Sequence, residues 1–273
     1  MGIKIWHQSF TVLEKLGPYN DAMRDHLKKV ARPDTEIVMH GMHVDTYQTN
    51  YPGNDIKYAG FQYLHGLQWI AAGLRAEELG YDAYAIATLP DPAIREIRSL
   101  LQIPVAGYGE AAMFTACSLG RRFGTLVFIT ELAPLLEEKV ALNGLSGRFV
   151  GVRDVGFRFN DVLAAYGGDV KPLIEKFRVS ARALIKEGAD AIIPGEAPLC
   201  VLLASNGVSE VDGVPVVDSL GAWVRQAEAL VDMRRTTGHQ HSRKGFWHEP
   251  PPRERVRELA KFYGLDKFFK NAK

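Results

Sequence analysis

Short apolar runs alternate with longer amphipathic stretches along most of the 273-residue chain. An apolar run bounded by turn residues is typical of a buried strand, whereas apolar positions spaced three and four apart indicate a helix. The pattern predicts strands at residues 3–8, 35–40, 82–88, 104–107, 123–129, 148–153, 190–195 and 214–217. It predicts the clearest helices at residues 57–79, 91–101, 131–143, 171–187 and 219–236. This alternation is typical of an α/β fold with parallel strands.

Two stretches of the chain share one pattern at an offset of 108 residues, as from Thr88 to Glu196. They are "ELGYDAYAIATLPDP" (78–92) and "KEGADAIIPGEAPL" (186–199). Each has a glycine that ends a helix, then an aspartate, an apolar strand and a polar residue. Because these features recur in register, the repeat predicts a duplicated α/β unit.

A duplicated unit predicts two lobes and an arm. The first lobe covers residues 1–120 and is closed by the helix at 219–236, the second covers 121–218, and the arm covers 237–273. Ligands of open parallel sheets bind at the carboxyl ends of the strands. We therefore expect Thr88 and Glu196 on opposite walls of one cleft.

Four stretches together resemble the aspartate/glutamate/hydantoin racemase superfamily. They are "IKIWHQSF", "GYDAYAIATLPDP", "IPVAGYGEAAMFTACSLGRRFGTLVF" and "GADAIIPGEAPLCVLL", and the likeness extends to about residue 236. The resemblance implies two flavodoxin-like lobes related by a pseudo-twofold axis, with the active site between them and no organic cofactor. In the racemases that the chain resembles, one cysteine from each lobe exchanges a proton at a carbon next to a carbonyl.

The resemblance places those two cysteines at positions 88 and 196, where this chain has Thr88 and Glu196. Two thiols can exchange acid and base roles because they are alike, but a threonine hydroxyl is far too weakly acidic for such a pair. We therefore predict a divergent member in which Glu196 moves the proton and Thr88 donates a hydrogen bond. The alternative interpretation is that the Glu196 carboxylate only stabilises the following helix, by interacting with the helix dipole.

Polar residues after other predicted strands are candidates for substrate binding. Gln8 and Ser9 follow the first strand, and Thr130 and Glu131 follow the first strand of the second lobe. Glu110 begins the helix after the fourth strand, although a glutamate in a first helical turn is ordinary. Hydroxyl groups and backbone N–H groups suit an anionic ligand, so these residues are predicted to anchor the substrate.

Three functions stay open on these residues. The first is cofactor-independent proton transfer on a small carboxylate or a cyclic amide such as a hydantoin, which covers a racemase, another isomerase or a decarboxylase. The second is hydrolysis of a ring amide by Glu196, alone or with a divalent metal held by His40, His43 or Asp45. The third is a small-ligand-binding protein without catalysis. On a strand His40 and His43 point to opposite faces, so a shared metal requires a turn between them.

Composition limits the partners to small molecules and to further copies of the chain. Lys and Arg number 33 against 32 Asp and Glu, and this balance argues against nucleic-acid or anionic-membrane binding. Cys117 and Cys200 make no disulfide framework and are expected to pack as small apolar side chains. The first residues lack the pattern of a signal peptide, so a cytoplasmic location is expected.

The arm contains three consecutive prolines and a predicted basic amphipathic helix at residues 253–263. It carries more aromatic side chains than a free tail would keep, namely Phe246, Trp247, Phe262, Tyr263, Phe268 and Phe269. We expect the arm to pack on a neighbouring subunit, which would make a homo-oligomer, or back on the first lobe.

Overall fold

The computed structural model describes residues 2–268. Its strands are β1 Ile3–Gln8, β2 Thr35–His40, β3 Ala83–Ile86, β4 Val105–Gly107, β5 Phe123–Val127, β6 Phe149–Asp154, β7 Ala191–Pro194, β8 Glu210–Val211 and β9 Val214–Pro215. Its α-helices are α1 Gly17–Val30, α2 Gly53–Ile56, α3 Ala59–Glu78, α4 Ile94–Leu100, α5 Tyr108–Leu119, α6 Ala133–Leu142, α7 Phe159–Ala165, α8 Lys171–Lys186, α9 Ala197–Ser205, α10 Ser219–Thr237 and α11 Arg253–Phe262.

The strands form two parallel sheets, one in each half of the chain. The first has the order β2-β1-β3-β4 and the second the order β6-β5-β7. In register, Ile5 pairs with Ala83 in the first sheet and Phe123 with Ala191 in the second. Strands β3 and β7 are buried along their whole length, which explains their continuous apolar sequences. The predicted α/β fold with parallel strands is confirmed.

The strand predicted at residues 214–217 differs from the structure. Only Val216 extends the second sheet, through an isolated parallel bridge to Ile192, while β9 pairs antiparallel with β8. The turn between β8 and β9 is the Asp212–Gly213 dipeptide, and both residues have positive φ, 51° and 79°. Asp-Gly is a preferred sequence for such two-residue hairpin turns. The turn therefore pairs Val214 and Pro215 with β8 in an antiparallel hairpin.

Helix α10 returns from the second half of the chain to the first sheet. It packs against α5, α1 and strands β3 and β4. Trp223, within α10, is fully buried, and the ring of His7 in β1 meets its ring edge-on at 5.6 Å between centroids. The two sheets thus lie in one continuous core, and the division at residues 1–120, 121–218 and 237–273 into separate domains stays a prediction.

The arm packs back on the first lobe. The imidazole of His241 accepts a hydrogen bond from the backbone N–H of Val105 in the edge strand β4, at 3.0 Å. Arg243 donates to the carbonyl of Leu101 at 2.8 Å, and Arg253 forms an ion pair with Glu77 of α3. Several aromatic side chains of the arm stay exposed, namely Phe246, Trp247, Phe262 and Tyr263. Phe269 lies outside the described residues, and the predicted homo-oligomer stays a prediction.

Within residues 2–268, no helix combines the length and apolar character that crossing a membrane requires.

Candidate active site

A small cavity of about 50 Å³ lies between the lobes, at the carboxyl ends of β1, β3, β5 and β7. Thr88 and Glu196 both line it, so the structure brings together the two residues that the repeat placed in register. The other lining residues are mostly apolar or aromatic, and they are Ser9, Phe10, Thr11, Tyr19, Tyr51, Pro52, Gly53, Ile56, Ala87, Phe128, Ile129, Phe159, Ala197 and Pro198.

Gly195 positions Glu196 at the end of β7. A Cβ atom at residue 195 would lie 2.7 Å from Cγ1 of Val127 and 3.0 Å from the carbonyl oxygen of Leu126. Only glycine therefore lets the chain leave β7 this close to the neighbouring strand β5. Glu196 then precedes helix α9 in an extended conformation, and its side chain turns toward β5.

The two oxygens of Glu196 have different surroundings. Oε1 accepts hydrogen bonds from the backbone N–H groups of Phe128 and Ile129, both at 3.0 Å. Oε2 is buried and has no hydrogen-bond partner among the described residues. The side chain makes no capping hydrogen bond to α9, which argues against a helix-capping role. The two N–H groups thus hold one oxygen of Glu196 in place and leave the other without a partner, in a residue that lines the cavity.

Burial raises the pKa of Glu196 to about 7, although the N–H groups of Ile129 and Phe128 lower it in part. A carboxyl with this pKa exists in both protonation states at neutral pH. Asp91 shows that a raised pKa alone does not identify the site. Its pKa is also raised to about 7, mainly by burial, but its two oxygens accept from the N–H groups of Gly109 and Glu110 at 3.0 and 2.8 Å. Glu196 is the carboxyl with a free oxygen at the cavity.

Three residues with aliphatic hydroxyl groups line this cavity. Thr88 is half-buried, and its hydroxyl makes no hydrogen bond to another described residue. The hydroxyls of Ser9 and Thr11 are 2.8 Å apart, and Ser9 Oγ also accepts from the N–H of Thr11 at 3.1 Å. Thr11 was not predicted from the sequence, although its position two residues after Ser9 at a strand end is a local signal for such a turn.

Gln8 does not line the cavity. Its amide oxygen accepts from the indole N–H of Trp6 at 3.0 Å, and its amide nitrogen donates to the carbonyls of Ser9 and Gly41 at 3.2 and 2.9 Å. The side chain is fully buried and ties the end of β1 to the loop after β2. Gln8 therefore supports the structure around the cavity and is not placed to contact a substrate there.

The structure also places Glu110, Thr130 and Glu131 outside the cavity-lining residues. Glu110 forms an ion pair with Arg98, with N–O distances of 2.6 and 2.9 Å. Thr130 and Glu131 are exposed in a short 3-10 turn. It is the backbone just before them, at residues 128–129, that contributes to the site. In this geometry none of these three side chains is placed to contact a ligand in the cavity.

His40, His43 and Asp45 do not meet Glu196 across the cleft. The His40 ring stacks on Trp6, with 3.4 Å between centroids, and its Nδ1 donates to the carbonyl of Val38 at 3.0 Å. His43 and Asp45 form an exposed pair at 3.7 Å. Among residues 2–268, no group of three or more His, Cys, Asp or Glu side chains is placed to hold a metal ion. The proposed metal ligands are therefore not assembled at the cavity.

Neither cysteine lines the cavity. Cys200 is buried with its sulfur 3.8 Å from Oδ1 of Asp218, and burial raises the pKa of the thiol to about 12. A thiol with this pKa stays protonated and unreactive at neutral pH. Cys117 lies in α5, where it is partly buried and packs against the hydrophobic core.

The family comparison agrees with this architecture. The model of the Asp/Glu/Hydantoin racemase family matches residues 20–227, which is most of the chain. The chain belongs to this family. A relative named hydantoin racemase from Pseudomonas sp. (strain NS671) is 28% identical over 246 residues, covering 86% of this chain and 88% of the relative. A second hydantoin racemase, from Rhizobium meliloti, is 32% identical over 165 residues, covering 58% and 63%.

Solved structures share the fold of this family member. The allantoin racemase from Klebsiella pneumoniae superposes with a TM-score of 0.74 at 23% identity, covering 92% of this chain and 95% of that one. At this identity the likeness concerns the fold alone. The predicted superfamily and two-lobed fold are confirmed, and a racemase-like enzyme is confirmed at the level of the family.

We expect Gly195→Ala to disturb the active site of this family member. The added methyl would collide with Val127 and Leu126, which should lower the free energy of unfolding by about 1–3 kcal/mol. Gly60→Ala is the matched control, because a Cβ at this exposed position in the first turn of α3 meets nothing within 4 Å. Urea unfolding of both variants checks this, and equal stabilities would contradict the crowding at residue 195.

Proposed function

We propose that this protein is a cofactor-independent racemase, or a closely related isomerase, of a hydantoin-like cyclic amide. In this proposal Glu196 removes and returns a proton at the carbon next to a carbonyl. The observation that carries it is the Glu196 carboxylate itself, with Oε1 held by two N–H groups and Oε2 unpartnered at the cavity. A base fixed in this way needs no reorganisation before it accepts a proton.

The pKa of Glu196 suits the proposed step. General bases work best when their pKa lies near the operating pH, because the ionised form is then abundant and still basic. With its pKa raised to about 7 by burial, Glu196 can take the proton as a carboxylate and return it as a carboxylic acid. Proton transfer changes no oxidation state, so the reaction needs no electron acceptor.

The charge of the cavity favours a neutral cyclic amide over a small carboxylate. None of the described residues that line it is Lys, Arg or His, and Glu196 is itself an acid. A carboxylate substrate would therefore stand beside a second carboxylate without a cation to pair with, which is costly in a buried site. The names of the relatives from Pseudomonas sp. and Rhizobium meliloti support the same substrate class.

The hydroxyl groups supply the second half of the proposed chemistry. When the carbon-bound proton leaves, negative charge moves to the carbonyl oxygen of the substrate. Thr88 has a hydroxyl free to donate a hydrogen bond to that oxygen, and the Ser9–Thr11 pair offers further donors. Donors aimed at developing charge in a water-poor cavity stabilise it strongly. In this scheme Thr88 is a hydrogen-bond donor and does not replace a thiol acid.

We expect the protein to exchange the C5 proton of enantiopure 5-substituted hydantoins in D₂O and to change their optical rotation, with a chelator present. Proton NMR measures the exchange and circular dichroism measures the inversion, with allantoin, arylmalonates and short dicarboxylates as comparison substrates. A ring-opened acid product would instead indicate a hydrolase. Thermal stabilisation by these compounds without exchange would indicate a binding protein, and either outcome would contradict the proposal.

A further inference from the structure

Tyr51 reaches the cavity from a loop that carries no strand or helix pattern. It lies between β2 and α2 in the first lobe, and its ring stacks on Phe159 of α7 in the second lobe. The ring centroids are 5.0 Å apart and the planes are 22° from parallel. Both rings line the cavity together with Glu196. This contact therefore closes one side of the active site with residues from both lobes.

Gly53 makes room for the phenol of Tyr51. A Cβ atom at residue 53 would overlap both the oxygen and the adjacent ring carbon of the Tyr51 side chain. Gly53 also lines the cavity. The chain thus leaves space at the cavity wall for the phenol group, and this space would be filled by any other residue.

The phenol of Tyr51 is an acid kept in its protonated form. The pKa of Tyr51 is raised to about 12, mainly by burial and in smaller part by the carboxylates of Glu196 and Glu131. Tyr51 and Glu196 line the same small cavity, so the two side chains lie near each other. A phenol is nevertheless a stronger acid than the aliphatic hydroxyl of Thr88.

A racemase needs a proton donor on the face of the carbon opposite to the base. If Glu196 takes the proton from one face, the planar intermediate must receive a proton from the other face to be inverted. We propose that Tyr51 is this second acid–base residue. This inference rests on the proposed function, since it concerns the same proton transfer.

The proposed step balances in protons and charge. The Glu196 carboxylate takes the carbon-bound proton, the C–H electron pair moves into the enolate, and the enolate carbon then takes the phenolic proton of Tyr51. The enzyme is left with a Glu196 carboxylic acid and a Tyr51 phenolate. After product release, transfer of one proton from Glu196 to Tyr51 through water restores the starting state, and the opposite enantiomer follows the reverse sequence.

Separate measurement of exchange and inversion tests the role of Tyr51. In D₂O we expect Tyr51→Phe to slow inversion of a 5-substituted hydantoin by at least about 100-fold. Deuterium exchange with retention should persist for the enantiomer whose proton faces Glu196. A merely structural role would slow exchange and inversion together, so the ratio of the two rates is the decisive quantity.

Two variants serve as controls: one removes a different phenol at the cavity, and the other alters the packing of Tyr51 but keeps its phenol. Tyr19→Phe removes another phenol at the cavity, from a ring that packs against Tyr166 at 5.8 Å, and it should keep the ratio of inversion to exchange. Phe159→Leu weakens the stack but keeps the Tyr51 phenol, so it should also keep the ratio.

Inversion at the wild-type rate in Tyr51→Phe, or its selective loss in Tyr19→Phe instead, would overturn the role of Tyr51. So would an equal loss of both rates in Tyr51→Phe. Absence of exchange in the wild-type protein with every hydantoin tested is a different result, because it removes the proposed function and the role of Tyr51 with it.

Discussion

Replacing Glu196 by Gln is expected to slow exchange of the C5 proton of a hydantoin by about 10²–10⁴-fold, the usual contribution of a positioned general base. The amide oxygen of Gln can still accept from the N–H groups of Phe128 and Ile129, which anchor Oε1 in the wild-type protein. The amide cannot accept the substrate proton, however. Initial rates of deuterium incorporation, measured by NMR at saturating substrate, check the prediction.

Glu131→Gln is the matched control for this loss. Glu131 is an exposed carboxylate in the turn after β5, the strand next to β7, and it lies outside the cavity-lining residues, so its removal should change the rate by less than about twofold. If Glu196→Gln kept wild-type activity, Glu196 would not be the base. If Glu131→Gln lost as much activity as Glu196→Gln, the chemistry would lie nearer the exposed turn than the cavity.

The same Glu196→Gln variant is expected to be more stable than the wild-type protein at alkaline pH. Burial raises the pKa of Glu196 from 4.5 to about 7. Between these values the folded protein keeps a proton that the unfolded chain releases, so the stability of the wild-type protein falls as the pH rises through this window. Gln carries no charge and avoids this loss.

The gain should reach at most about 3.5 kcal/mol at pH 9, since the pKa rises from 4.5 to about 7 and each pKa unit corresponds to about 1.4 kcal/mol. It should shrink toward zero below pH 4.5, where Glu196 becomes protonated in both states. Urea unfolding of both proteins at pH 5 and pH 9 measures the difference. A stability difference that does not change with pH would mean that Glu196 is not a buried carboxyl of raised pKa. The stability expected to be gained by Glu196→Gln equals the stability that the wild-type protein loses by keeping an ionisable base buried in the cavity.

The sequence alone predicted the fold because a strand buried in a parallel sheet has a short, continuous apolar sequence. Strand β3 reads "AYAI" and β7 reads "AIIP", and both are buried throughout. The predicted and observed bounds of β1 and β2 coincide. At residues 214–217 the prediction overlooked the Asp212–Gly213 turn, which was a local signal for the antiparallel hairpin of β8 and β9.

The meeting of Thr88 and Glu196 could also be predicted, because the carboxyl ends of parallel strands converge on one edge of a sheet. The same rule also selected Gln8, Thr130 and Glu131, but none of these three residues lines the cavity. It identifies the strand end but not which side chain there turns toward the cavity. Adjacent positions at a strand end point in different directions, so Ser9 faces the cavity while Gln8 is enclosed beneath it.

The sequence by itself determined the α/β fold, the repeat and the placement of an acid at the mouth of β7, because each depends on neighbours along the chain. Only the tertiary structure decided that one oxygen of Glu196 is held by two N–H groups while the other stays free. It also decided that Tyr51 reaches the cavity and that His40 and His43 do not. These positions depend on loops packed against distant segments, and the local sequence pattern does not predict where such a loop packs.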